Sequence, residues 1–300
     1  MGVSFFKIKK WTNMLFGKSV YHVTQAAGRC YSKEQIKGYY NDFTQKVSRF
    51  GRADNAVPTT RMDTGEEIYF SIAVFQYGLA AYDLYCMEQD ENHLEKFINC
   101  AAWAVENQQE DGSWVTFAYE DPEHPNSSMA QGEGISLLLR AYIQTGDESY
   151  MTAAVKAKDF MLLPISQGGT TLYKGEDVYF YEFTHSPLVL NGWIFSIFGL
   201  YDYCKLTGDA EAREILQKTL QSLANSLPGY DNGYWSKYDD HKRLASPFYH
   251  DLHIAQLKVM YDLFEIQAYA QYAHKWDAYR KRFLNPKRAF VQKALQKILE

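Results

Sequence analysis

Cysteine is scarce in this chain. Only Cys30, Cys86, Cys100 and Cys204 occur in 300 residues, and no two share the CxxC spacing of a zinc or redox motif. They read as free thiols of a reducing compartment. Long apolar runs are missing too, since none approaches the roughly 18 residues that span a bilayer. The opening stretch Met1-Gly-Val-Ser-Phe-Phe-Lys-Ile-Lys-Lys-Trp carries charges inside its apolar run and shows no convincing cleavage site. A signal peptide is therefore not expected, and the expected location is cytoplasmic. No GxGxxG follows a strand, and neither a P-loop nor a GxSxG is present, so nucleotide binding and serine hydrolysis lose their usual support. Positive charge is not in excess either: the net charge is −5, which argues against a general nucleic-acid binder. An anionic glycan is still compatible, because basic groups can gather in one groove of an acidic protein.

Aromatic residues are plentiful, at 16% of the chain with 24 Tyr and 18 Phe. A Tyr-rich helical core explains such a content, and so does a cleft whose rings stack on the apolar faces of sugars. The remaining composition, 46% hydrophobic and 22% charged, is that of an ordinary globular chain.

From Ile68 onward apolar residues recur with helical spacing. The segments are Ile72–Leu84, Leu94–Val105, Gly134–Thr145, Tyr150–Leu162, Leu190–Leu206, Ala210–Leu223 and Ile254–Phe264. A Thr-Gly-Asp element begins at Thr145 and again at Thr207. Its Gly can close one helix in the left-handed conformation while its Asp caps the next, so each copy predicts a helix–turn–helix corner. Repeated hairpins of similar length predict a mainly α fold, an incomplete α/α toroid. Strand-like pieces at Gly169–Tyr173, Val178–Phe183 and Gly233–Tyr238 suit short β-hairpins lining a cleft. The expected division is an N-terminal arm over 1–65, the toroid over 66–285 and a C-terminal helix over 286–300. Ser32-Lys-Glu-Gln starts like a helix, though Gly38 weakens it, and Arg52–Gly65 reads as a loop. Asn107–Trp114 reads as a structural Gly turn.

Three segments concentrate residues suited to chemistry. Tyr179-Phe-Tyr-Glu-Phe places Glu182 among aromatics, where desolvation raises a carboxyl pKa and makes a usable acid or base. Asn191 follows at a helix start, where it can cap or meet a ligand. The stretch from Tyr230 through Tyr234, Trp235, Tyr238 and Arg243 to Tyr249 and His250 reads as a sugar platform with cations, or as an aromatic loop with a solvated charge run. Ser128–Ser136 is a small-residue helix start that carries Gln131 and Glu133. His250 and His253 could ligate a metal, but capping and substrate hydrogen bonding are the favoured roles. No metal or cofactor is expected.

Met129-Ala-Gln-Gly, Val189-Leu-Asn-Gly with Gly199-Leu-Tyr-Asp, and Tyr249-His-x-x-His-Ile-x-Gln-Leu resemble, in this order, the signature of D-glucuronyl C5-epimerases. The resemblance extends over roughly Ile68 to Trp276. It implies inversion at C5 of D-glucuronate in a heparosan-type polysaccharide to L-iduronate, and relatives suggest a homodimer. By motif position the catalytic Glu and Tyr residues of the family fall on Glu182, Tyr238 and Tyr249. Asn191 and Arg243 are implied at substrate, and Tyr181, Tyr230, Trp235, Gln131 and His250 are further candidates for substrate contact. One departure is plain: the family has a Tyr after the Glu where this chain has Phe183, and Tyr181 is the candidate to replace it. A polysaccharide lyase would share the first chemical step, and a non-catalytic glycan-binding module would need none of these groups. A terpene cyclase has only the Gly-Ser-Trp turn in its favour and lacks its acidic motif.

Overall fold

The computed structural model describes residues 25–50, 56–62 and 64–299, so the expectations for the opening stretch lie outside the described residues. Four helical hairpins follow one another among them. They are α2 (Ser71–Glu88) with α3 (Glu91–Glu106), α4 (Ser128–Thr145) with α5 (Glu148–Leu162), α6 (Leu190–Thr207) with α7 (Ala210–Ser226), and α8 (Pro247–Phe264) with α9 (Gln267–Lys281). The first helix of each pair packs on the next first helix, α2 on α4, α4 on α6 and α6 on α8, while its partner lies outside. That is an incomplete α/α toroid. A short α1 (Gln45–Phe50) precedes it and α10 (Leu284–Leu299) follows. No described helix is long and apolar enough to cross a membrane.

The corners form as the Thr-Gly-Asp element dictates. Gly146 and Gly208 end α4 and α6 at φ 72° and 71°. Asp147 then accepts from the Ser149 amide and Asp209 from the Ala212 amide. The inner helices are buried along most of their length, which is why they read as apolar all round, whereas α3 and α7 show a clear stripe. Helices α4 and α6 cross at glycine: a Cβ on Gly132 would strike the backbone at Ser196, and one on Gly199 would strike Gly132.

Three local expectations need correction. Ser32–Gln35 makes bends rather than a helix. Within Arg52–Gly65, β1 (Thr60–Arg61) pairs with β2 (Glu67–Ile68) across a turn. Gly233–Tyr238 forms only isolated bridges, in contrast to the antiparallel pair β3 (Thr171–Lys174) and β4 (Asp177–Phe180). The Asp-Asn-Gly turn brings Asp231 back onto Ser236, leaving too few residues for a ladder.

Residues 37–47 run between the inner helices. The Tyr39 amide donates to Asp83 on α2 (2.7 Å), and the Tyr40 hydroxyl donates to Asp202 on α6 (2.6 Å). Asp202 also receives Arg140 (2.6 Å) and Ser136 (2.6 Å) from α4, and Arg140 donates to the carbonyls of Lys37 and Gly38. Phe43 packs on Phe195 with ring centroids 5.8 Å apart. The chain then reaches Lys46, near the N-terminal ends of the inner helices.

Candidate active site

A cavity of about 560 Å³ opens at those N-terminal ends. The first turns of α2, α4, α6 and α8 reach it with Ile72, Met129, Asn191 and Tyr249, and the β1–β2 hairpin covers one side with Thr60, Arg61 and Glu67. Glu182, Phe183 and Tyr238 come from the links between helices.

The link that carries Glu182 is pinned at both ends. The Tyr181 amide donates to Thr170, and the Tyr181 carbonyl accepts from the Ser128 amide, a free donor at the start of α4. Glu182 then lies against the α6 N-terminus, so close that a Cβ on Gly192 would strike its carboxyl. The residue is 6% exposed, and its carboxyl makes no hydrogen bond among the described residues. Desolvation pushes its pKa up to about 8, against the pull of Arg243. Asn191 is also buried, and its side-chain oxygen has no hydrogen-bond partner among the described residues. Unpartnered buried polar atoms on one cavity wall mark a place built for a polar ligand.

The Tyr238 and Tyr249 rings meet edge-on at 4.8 Å. The Leu190 amide, at the start of α6, donates to the Tyr238 carbonyl. Desolvation within the cavity walls holds both phenols above their ordinary value, and the Glu182 carboxyl adds to the effect. Arg243 lies over the Tyr238 ring at 5.3 Å and is ion-paired with buried Asp239. Its charge does not offset the burial of Tyr238, so at neutral pH these phenols are proton donors rather than bases.

The other residues singled out from sequence are placed elsewhere. Gln131 donates to the carbonyls of Gly112 and Ala157 and accepts from the Trp114 amide, which braces the turn at Gly112. Trp235 stacks face to face on His250 at 3.6 Å. The Ser236 amide donates to His250 Nδ1, so His250 Nε2 carries the proton and donates to the Trp276 carbonyl (3.1 Å). His253 Nδ1 shares the Ser236 hydroxyl at 3.0 Å. Burial presses both imidazoles well below their ordinary pKa, His250 to about 3, so they pack as neutral rings. Tyr181 and Tyr230 line a separate hollow of about 420 Å³. Tyr181 precedes Glu182 on an extended link, where neighbouring side chains alternate sides.

Sequence reading passed over Lys46, Arg61, Gln76 and Phe117, all of which line the cavity. Tyr39, Tyr40, Phe43 and Val47 do carry a helical apolar spacing that could have signalled the Lys46 segment, but Gly38 and Asn41 obscure it. Phe183 stacks on Phe117 at 4.3 Å. Close by, Asp121, His124 and His185 bring their ligand atoms within 4.8 Å of one another, and these are the described residues best placed to hold a metal.

A family model described as D-glucuronyl C5-epimerase C-terminus matches residues 111–278. The chain belongs to that family. The D-glucuronyl C5-epimerase of Caenorhabditis elegans is 30% identical over an alignment of 224 residues that covers 64% of this chain and 36% of the relative. An uncharacterized protein of Methanocaldococcus jannaschii is 32% identical over 155 residues, 50% of each chain. The chain thus matches only a third to a half of the length of these relatives. Among solved structures, cellobiose 2-epimerase from Spirochaeta thermophila is similar over 90% of this chain and 85% of its own, at 10% identity and TM-score 0.48. The unsaturated glucuronyl hydrolase of Bacillus sp. GL1 is similar over 79% and 64%, at 15% identity and TM-score 0.48. The matched region of the family holds Glu182, Asn191, Tyr238 and Tyr249. Lys46 and the β1–β2 hairpin lie outside it.

Proposed function

We propose that the chain inverts C5 of D-glucuronate residues in a heparosan-type polysaccharide, giving L-iduronate by proton abstraction and reprotonation. The observation that carries this reading is one cavity where a desolvated carboxyl, Glu182, meets two phenols, Tyr238 and Tyr249, in a chain of the epimerase family. The C5 hydrogen lies α to a carboxylate, and its removal adds charge to a group already anionic. Inversion needs a base on one ring face and an acid on the other. Glu182 is the base: with a pKa near 8 it accepts a proton far better than an exposed carboxylate. The Tyr249 hydroxyl, backed by Tyr238, supplies the proton on the opposite face. Asn191 orients the sugar, and Arg243 keeps part of Glu182 ionised. Phe183 presents an apolar edge where relatives place a hydroxyl, which leaves the donor role to this Tyr pair.

Incubation with heparosan and N-sulfoheparosan in deuterated water, followed by disaccharide analysis, tests the reading. Deuterium at C5 of both product epimers is expected. Iduronate without label overturns the two-base scheme. An unsaturated uronate on shortened chains makes the protein a lyase, and glycan binding unaffected by loss of Glu182, Tyr238 and Tyr249 makes it a binding module.

A further inference from the structure

The proposed reaction needs a cation for the substrate carboxylate, and Arg243 already answers Asp239. Two cations line the cavity itself. Arg61 stands exposed on the β1–β2 hairpin, whereas Lys46 is 8% exposed. Among the described residues the Lys46 side chain makes no hydrogen bond or ion pair. The centroid of the Phe43 ring is 6.0 Å from Nζ. Burying an ammonium without a partner costs several kcal/mol, so a group that enters the cavity and neutralises it recovers that cost. Behind Lys46 stands Glu133, fully buried on α4, with one oxygen accepting from Gln76 (2.8 Å) and the other unpartnered among the described residues.

Resting on the epimerase reading, we propose that Lys46 binds the carboxylate of the uronate ring and makes the site select uronates over neutral hexoses. The geometry gives the reason. An ammonium enclosed by cavity walls acts at low effective dielectric, and its attraction for the carboxylate grows as proton removal adds charge there. Arg61 at the rim is screened by water and contributes to encounter more than to selection. Desolvation lowers the Lys46 pKa to about 8 in the free protein, and the field of Glu133 opposes that fall. A bound carboxylate restores the charged form.

The test compares heparosan oligosaccharide with its carboxyl-reduced, neutral counterpart in direct binding, and follows C5 deuterium exchange on the charged chain alone, because the reduced ring has no hydrogen α to a carboxylate. Wild type should prefer the charged chain. Lys46→Met should lose that preference and lower kcat/KM by about tenfold to a hundredfold, the loss of one charge-assisted contact, and Lys46→Arg should recover part of both. Arg61→Gln should change kcat/KM by less than about threefold, as a screened surface charge does. Removing a buried, unpaired charge should leave the Lys46→Met fold intact, as thermal unfolding will show. An undiminished preference in Lys46→Met overturns the inference while the epimerase reading stands. If wild type exchanges no C5 hydrogen, the epimerase reading falls, and the binding comparison still decides the role of Lys46.

Discussion

Glu182 concentrates what a single residue contributes here. Its carboxyl is buried without a hydrogen bond among the described residues, so its ionisation costs more in the folded chain than in the unfolded one. The folded protein keeps this proton up to about pH 8, while an unfolded chain loses it near 4.5. The contribution to stability is therefore full below about 4.5 and is lost progressively as pH climbs to about 8. Glu182→Gln should remove this dependence, so urea titrations across that range should show the variant gaining on wild type as pH rises. The same substitution should cut C5 exchange by at least about a hundredfold, the low end of what a general base supplies. In wild type, exchange should rise with pH through about 8 as the carboxyl ionises. A flat rate profile over that range would count against Glu182 as base. Tyr238 and Tyr249 show the limit of a residue-scale reading. Desolvation and the Glu182 carboxyl raise the pKa of both, and at Tyr238 they outweigh the opposing charge of Arg243.

At the scale of elements, the start of α6 governs the site. Gly192 leaves room for the Glu182 carboxyl where any side chain would collide. Gly192→Ala should displace Glu182 and reduce exchange by about a hundredfold, the cost of a displacement near one ångström, while circular dichroism shows the helices retained. The corner at Gly208 serves the fold alone. It adopts φ 71°, and a Cβ there would meet nothing within 4 Å, so Gly208→Ala should cost about 1 kcal/mol in denaturant and leave exchange unchanged.

Across the whole molecule, the segment before the hairpins is bolted into the ring through one ion pair. Arg140 and Asp202 are 1% and 0% exposed, and with Ser136 and Tyr40 they join α4, α6 and the segment that leads to Lys46. Asp202→Ala leaves the Arg140 charge buried and uncompensated, so it should destabilise the protein by about 3–5 kcal/mol. Chemical denaturation checks this. Because the network also holds the Lys46 segment, the variant should lose exchange under conditions where its far-ultraviolet circular dichroism is still native.

By itself the sequence determined the first three hairpins, the inner helix of the fourth and their order. The turn chemistry of Thr145-Gly-Asp and Thr207-Gly-Asp is local, and the apolar spacing of α3 and α7 needs no knowledge of what covers them. It also singled out Glu182, because an acid among aromatics is written into neighbouring residues, whereas Asn191, Tyr238 and Tyr249 were picked out by motifs that resemble the family's. Only the tertiary structure decided which aromatic and polar residues face the cavity. Trp235, His250 and Gln131 stand in equally distinctive motifs, but a motif does not say whether its side chains turn toward a ligand or toward a backbone carbonyl. Helix α9 was equally hard to read, since its buried Tyr269, Ala273, Trp276 and Tyr279 sit in a polar, Tyr-rich stretch. Lys46 was the least legible of all. Its surroundings come from residues far along the chain: only the closing of the helices around residues 37–47 brings Gln76 and Glu182 to the same cavity and Lys46 within the field of Glu133.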